Sequence, residues 1–140
     1  MISISVIGAG QVGTQFCKAI NATKNLHLEQ CYNRSKIGPE NGLDGVDFCN
    51  DLMQLKPADL YIIAVNDSAV EAISNALPFE KRLVVHTSGS VALRYLNKKN
   101  RKGVFYPLQT FSKTSNLDFV NVPICIETTD KSDRKLLKSV

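Results

Sequence analysis

Residues 2–13 constrain this chain more than any other segment. Ile2-Ser3-Ile4-Ser5-Val6-Ile7 alternates small polar and β-branched apolar residues, the pattern of a strand. Gly8-Ala9-Gly10-Gln11-Val12-Gly13 follows at once and spells G-x-G-x-x-G. From Gln11 to Ala22 the apolar residues Val12, Phe16, Ala19 and Ile20 recur at helical spacing. A glycine-rich turn between a strand and a helix is the context in which this motif binds a pyrophosphate. Gly8 permits the tight turn, Gly10 lets the backbone approach phosphate, and Gly13 lets the helix pack close to the strand. The free N–H groups of the helix start and the helix dipole then favour anions. Ala9, Gln11 and Val12 complete the predicted cradle. The expectation is a dinucleotide-binding βαβ unit.

The rest of the chain repeats the alternation of strands and helices. Leu26 to Tyr32 reads as the second strand, and Val46-Asp47-Phe48-Cys49 as a short third one after a loop from Ile37 to Gly45. Asp59 to Val65 is nearly continuous in apolar residues, as in a parallel strand buried on both faces. The helix expected next carries Val70, Ile73 and Leu77 on one face, with Ser68 and Glu71 as its capping box. Leu83 to His86 is a strand, Val91 to Asn97 a short helix, and Val104-Phe105-Tyr106 and Pro123 to Ile126 are further strands. This order predicts an α/β fold: a Rossmann-like, doubly wound, mostly parallel sheet with helices on both faces. Residues 1–140 make one domain. Ser132 to Val140 reads as the start of a helix with no stop signal, so the chain is expected to be a fragment, or a first domain without its partner.

The end of the second strand distinguishes the two common dinucleotides. NAD sites place a carboxylate there, about 20 residues past the glycines, to accept from the ribose 2′-hydroxyl. This chain has Tyr32-Asn33-Arg34-Ser35 instead, and Glu29 falls in the body of the strand. The planar fork of Arg34 suits a 2′-phosphate, with Asn33 and Ser35 adding hydrogen bonds. The expected cofactor is NADP(H).

In an open parallel sheet the ligand lies beyond the carboxyl ends of the strands. Ala64-Val65-Asn66 ends the central strand and is expected to line the cofactor; Ser88 belongs to the same set. His86 is the one imidazole at such an end, so it is the candidate proton donor for hydride transfer to a carbonyl or imine. The competing reading is a histidine that holds a loop by hydrogen bonds. His27, inside the second strand, reads as structural.

Composition excludes several classes. The four cysteines, Cys17, Cys31, Cys49 and Cys125, form no C-x-x-C pair and read as reduced thiols. No zinc spacing occurs, Asp118, Glu127 and Asp130 are scattered, and no metal is expected. No run approaches the ~20 apolar residues of a membrane span. The start lacks a basic signal region, which points to the cytoplasm. Residues 71–140 hold 12 basic and 6 acidic side chains, against 5 and 7 in residues 1–70. The densest cluster is Lys98-Lys99-Asn100-Arg101-Lys102. No aromatic residue interleaves it for base stacking, so a solvated helix end and turn is expected and no nucleic-acid partner.

The glycine turn together with Asn33-Arg34-Ser35 resembles the 6-phosphogluconate dehydrogenase-like superfamily, which includes pyrroline-5-carboxylate reductases and other NADP oxidoreductases. Ala64-Val65-Asn66-Asp67, His86-Thr87-Ser88-Gly89-Ser90 and Tyr106-Pro107-Leu108-Gln109-Thr110-Phe111 resemble a bacterial subfamily with a Rossmann-like first domain and a helical second domain of unknown function. Members usually carry histidine where Tyr106 stands. The resemblance covers the first domain alone. It implies an NADP-dependent oxidoreductase acting on a small metabolite, with a helical domain, absent here, that completes the substrate pocket and a homodimer. The alternatives left open are a non-catalytic NADP(H)-binding redox sensor and a domain that dimerises through apolar surface.

Overall fold

The near-continuous apolar strands are explained by what covers them. In the computed structural model, which describes residues 2–8, 11–33, 47–88, 91–107 and 124–128, β4 (Leu60–Ile63) is fully buried and serves two cores. Leu60 and Ile62 join Ile4, Val6, Leu83, Val85 and Phe105 under α1 (Gln11–Asn21), which contributes Phe16, Cys17 and Ile20. Tyr61 and Ile63 face the other way, onto Val70 and Leu77 from α2 (Asp67–Ala76) and its C-cap, with Ile7, Val84 and Leu96. A strand whose alternate residues fill opposite cores has no polar face to spare.

The strands β1 (Ile2–Ile7), β2 (Leu26–Tyr32), β3 (Phe48–Cys49), β4, β5 (Leu83–His86), β6 (Arg101–Pro107) and β7 (Ile124–Thr128) form one sheet in the order β3-β2-β1-β4-β5-β6-β7. All neighbours are parallel except β6 and β7. This is the expected Rossmann-like fold. The chain runs outward from β1 in one direction and from β4 in the other, so a topological switch lies between those two strands.

Several local expectations change. The helix after β4 begins at Asp67, with Asn66 in the N-cap position, so Ser68 lies inside the first turn and forms no capping box. Backbone at Asn66 is non-helical, with φ -56 and ψ 144, and its side chain makes no cap bond. The segment from Val91 to Asn97 contains a single 3-10 turn, Leu93–Tyr95, rather than an α-helix. The basic cluster is not a helix end: Lys98 and Lys99 lie in a turn, and Arg101 and Lys102 open β6, three residues earlier than the apolar pattern showed. The cation effect survives in another form, because Lys99 Nζ donates to the carbonyl of Leu77 at the end of α2, 2.5 Å away.

The pairing of β1 with β2 slips by one residue. Ile4 faces Leu28 and Ser5 faces Gln30, leaving Glu29 unpaired as a bulge. Its carboxylate meets Nε2 of the exposed His27 at 3.2 Å. Cys17 and Cys31 are buried free thiols, and Cys49 is half-buried. The hydrogen bond the Cys17 thiol donates to Cys31, together with burial, pushes Cys17 far above the ordinary thiol range. The loop at 37–45, Cys125's side chain and the expected helix from Ser132 lie outside what is described. Among the described residues, no helix is long and apolar enough to cross a membrane.

Candidate dinucleotide site

The carboxyl ends of four strands meet in one row at the switch point. The Gly8 N–H donates to Tyr32 O at 2.7 Å, tying the tip of β1 to that of β2. The Ala64 N–H donates to Ile7 O at 2.8 Å on the other side, and the Asn33 N–H reaches Cys49 O at 3.0 Å. Gly8, Asn33 and Ala64 therefore stand side by side, as the sequence motifs required.

Gly8 has φ +111, a conformation that side-chain-bearing residues rarely adopt. A Cβ there would collide with the Ala64 carbonyl oxygen and lie 2.9 Å from Val65 Cγ1. A Cβ on Gly13 would collide with the Gly8 carbonyl oxygen and lie 3.5 Å from Ala64 Cβ. The start of α1 thus rests directly on the backbone of the β1 turn, with Ala64 as the third small partner. Ala64 as a packing partner was missed in the motif reading; its small size between Ile63 and Val65 was the available signal. No acidic residue stands in the first turn of α1. A dinucleotide phosphate fits a turn built this way, because the two glycines let the strand turn sharply and the helix start pack directly on that turn, so that the helix N–H groups lie at the end of β1. Gln11 and Val12 begin α1 as expected. Ala9, Gly10, Arg34 and Ser35 lie outside the described residues.

No carboxylate ends β2 among the described residues: Glu29 is spent in the bulge. Asp51 follows β3, and its Oδ1 accepts the Met53 N–H as the cap of a 3-10 turn. Val65 and the exposed Asn66 lead from β4 into α2.

His86 ends β5 beside Ile63 and Val104, at the same edge of the sheet. Its side chain is 0% exposed. The Ser88 N–H donates to its Nδ1 at 3.1 Å, which puts the ring proton on Nε2 in the neutral form. Nε2 is buried without a hydrogen-bond partner among the described residues. Burial lowers the pKa below the ordinary histidine value, against a smaller opposing effect of the Val91 backbone. Tyr106 and Pro107 end β6 at this edge as well; Gly89, Ser90 and residues 108–111 are outside the description. Among the described residues no group of histidine, cysteine and carboxylate side chains could hold a metal.

No protein-family model matches the chain, and no curated protein does. Solved structures do. A Bacteroides fragilis protein provisionally described as an NADP oxidoreductase is 32% identical, with a TM-score of 0.83 over 99% of this chain and 56% of its own. Prephenate dehydrogenase from A. aeolicus, solved with hydroxyphenyl propionate and NAD+, is 17% identical, with a TM-score of 0.72 over 99% and 56%. Pyrroline carboxylate reductase from Plasmodium falciparum, solved with NADP, is 15% identical, with a TM-score of 0.71 over 99% and 53%. The chain therefore spans a little over half the length of these proteins. The two more distant likenesses concern the fold; the first extends to sequence. In fold along nearly its whole length, this chain resembles the NAD(P)-binding domains of the 6-phosphogluconate dehydrogenase-like oxidoreductases.

Proposed function

We propose that residues 1–140 are the NADP(H)-binding domain of an oxidoreductase that moves hydride to or from a small metabolite. The observation that carries this reading is the contact of Gly13 with Gly8 and Ala64 at the β1/β4 switch point. It seats the start of α1 directly on the β1 turn, where a pyrophosphate would meet the helix N–H groups. Gly8 to Gly13 would hold the phosphates, and Ala64, Val65 and Asn66 would line the path toward the nicotinamide. NADP(H) supplies the hydride when bound.

The preference for NADP(H) over NAD(H) rests on Asn33, Arg34 and Ser35 following β2 and on Glu29 lying in the body of that strand, at the bulge and paired with His27. The 32%-identical Bacteroides protein, described as an NADP oxidoreductase, is in keeping with it. Arg34 would pair with the 2′-phosphate.

We assign His86 a positioning role. Its Nδ1 holds Ser88, so the loop after β5 is fixed by a neutral, buried ring. Serving as proton donor would require Nε2–H to face a substrate, and the fully buried ring favours the loop-holding role. The substrate pocket and any homodimer would be completed by a second domain, in keeping with relatives nearly twice as long.

Fluorescence titration with NADPH and NADH tests the reading. Saturable binding, tighter for NADPH by at least tenfold, is expected. Equal affinity would remove the Arg34 assignment, and absence of binding to either would overturn the function.

A further inference from the structure

The opposite edge of the sheet carries an open cavity of about 440 Å³, lined by Ser3, Pro57, Ala58, Asp59, Lys81, Arg82 and Arg101. These residues sit where β1, β4, β5 and β6 begin, a full strand length from the glycine turn. The sheet itself assembles the row. The Asp59 N–H donates to Ser3 O at 2.9 Å, and the Arg101 N–H donates to Arg82 O at 2.8 Å. Three cations and one carboxylate line the cavity. That carboxylate is engaged: Asp59 Oδ2 accepts from the Ser3 N–H at 3.0 Å and from its hydroxyl at 3.3 Å.

Arg82 is the best-built member. Its Nη1 donates to the buried Tyr61 hydroxyl at 2.7 Å, and its guanidinium lies 5.1 Å over the Phe79 ring. Phe79 in turn stacks on Tyr61 with centroids 4.3 Å apart. Among the described residues Arg82 has no carboxylate partner, and its one side-chain hydrogen bond there uses one of its five N–H donors. A half-buried guanidinium held in place by an aromatic pair, with donors left over among the described residues, is pre-organised for an oxyanion. Next to it Lys81 has φ 60, the left-handed conformation that costs a residue with a Cβ. That turn, tied by the Lys81 N–H to Lys99 O at 2.8 Å, brings a third cation to the same rim.

We propose that this cavity binds the phosphate group of a small phosphorylated molecule, gripped by Arg82 with Arg101 and Lys81. Its volume exceeds that of a bare phosphate, so the remainder of the molecule lies over Pro57 and Ala58. The site is separate from the dinucleotide turn and does not depend on it.

The test uses the full chain, at constant ionic strength so that screening does not change. Inorganic phosphate and pyrophosphate are titrated while backbone amide signals are followed by NMR. Saturable shifts of Ser3, Lys81 and Arg101 are expected. Affinity should fall about tenfold or more in Arg82→Gln and in Arg101→Gln. If Arg82→Gln fails to fold, Arg101→Gln and Lys81→Gly decide, since both replace exposed side chains. Unchanged affinity in those variants, shifts confined to Gly8 and Gly13, or no saturable shift would overturn the proposal. Oligothymidylate binding that tightens with length through the same three residues would also overturn it, in favour of a nucleic-acid surface.

Discussion

Gly13 lies against the carbonyl of Gly8 so closely that a Cβ on it would stand 2.8 Å from the Gly8 carbonyl carbon and nearer still to the oxygen. The oxygen belongs to backbone in a turn with φ +111 and cannot swing aside as a side chain would. Helix α1 must therefore move outward if Gly13 gains a methyl group. Gly13→Ala should cost about 1–3 kcal/mol, the usual range for overpacking. It should also weaken NADPH binding by more than tenfold, because the displaced N–H groups no longer converge on one phosphate. Urea unfolding and fluorescence titration read the two effects separately; NADPH affinity within twofold of the parent would count against the phosphate turn.

Arg34 tests the cofactor preference. A hydrogen bond to a charged group contributes about 1.5–3 kcal/mol. Arg34→Ala should therefore weaken NADPH by roughly tenfold to a hundredfold while leaving NADH nearly unchanged. Equal losses for both cofactors would show that Arg34 acts on something other than the 2′-phosphate.

Burial holds the His86 pKa below its ordinary value, and this has a definite pH signature. Below about pH 6.5 the unfolded chain takes up a proton that the folded chain refuses, so acid lowers stability. Above that pH the ring is neutral in both states and the dependence vanishes. Melting temperature should drop between about pH 7.5 and about pH 5.5, and the drop should shrink in His86→Gln. NADPH-linked turnover of a longer form of the protein should fall partly in that variant, through KM more than kcat, if His86 only holds Ser88. A loss confined to kcat, accompanied by a displaced pH–rate limb, would instead make it the proton donor.

Tyr61 is buried, yet its hydroxyl serves three groups. It donates to Lys56 O at 2.7 Å and accepts from the Ala58 N–H at 3.0 Å and from Arg82 at 2.7 Å. Tyr61→Phe keeps the ring stack on Phe79 and strands all three partners. A loss of about 1–3 kcal/mol is expected, the cost of leaving a buried polar group unsatisfied. A urea midpoint unchanged from the parent would show that water replaces the hydroxyl without penalty.

Local pattern reached far into this fold because its strongest signals are backbone requirements. Three glycines after an alternating strand mark a turn that only a few geometries satisfy, and Gly8 and Gly13 occupy it as read. The apolar run at 60–63 showed that β4 is covered on both faces. The cap of α2 was misplaced because Ser68 and Asn66 are both good capping residues; the non-helical backbone at Asn66 and the helix start at Asp67 decide between them. The start of β6 was missed because Arg101 and Lys102 are pairing residues whose charged side chains hide the strand.

By itself the sequence determined the βαβ order, the glycine turn and the lack of a carboxylate ending β2, since each depends on residues near in the chain. Only the tertiary structure decided what non-local contacts set. The slip between β1 and β2 leaves Glu29 without a partner on β1. The packing around β5 buries His86 completely and fixes which of its nitrogens carries the proton. Strand pairing brings Ser3, Asp59, Arg82 and Arg101, nearly a hundred residues apart, to one rim. No periodicity in the chain encodes such a row, because register across a sheet is chosen by which faces must be buried.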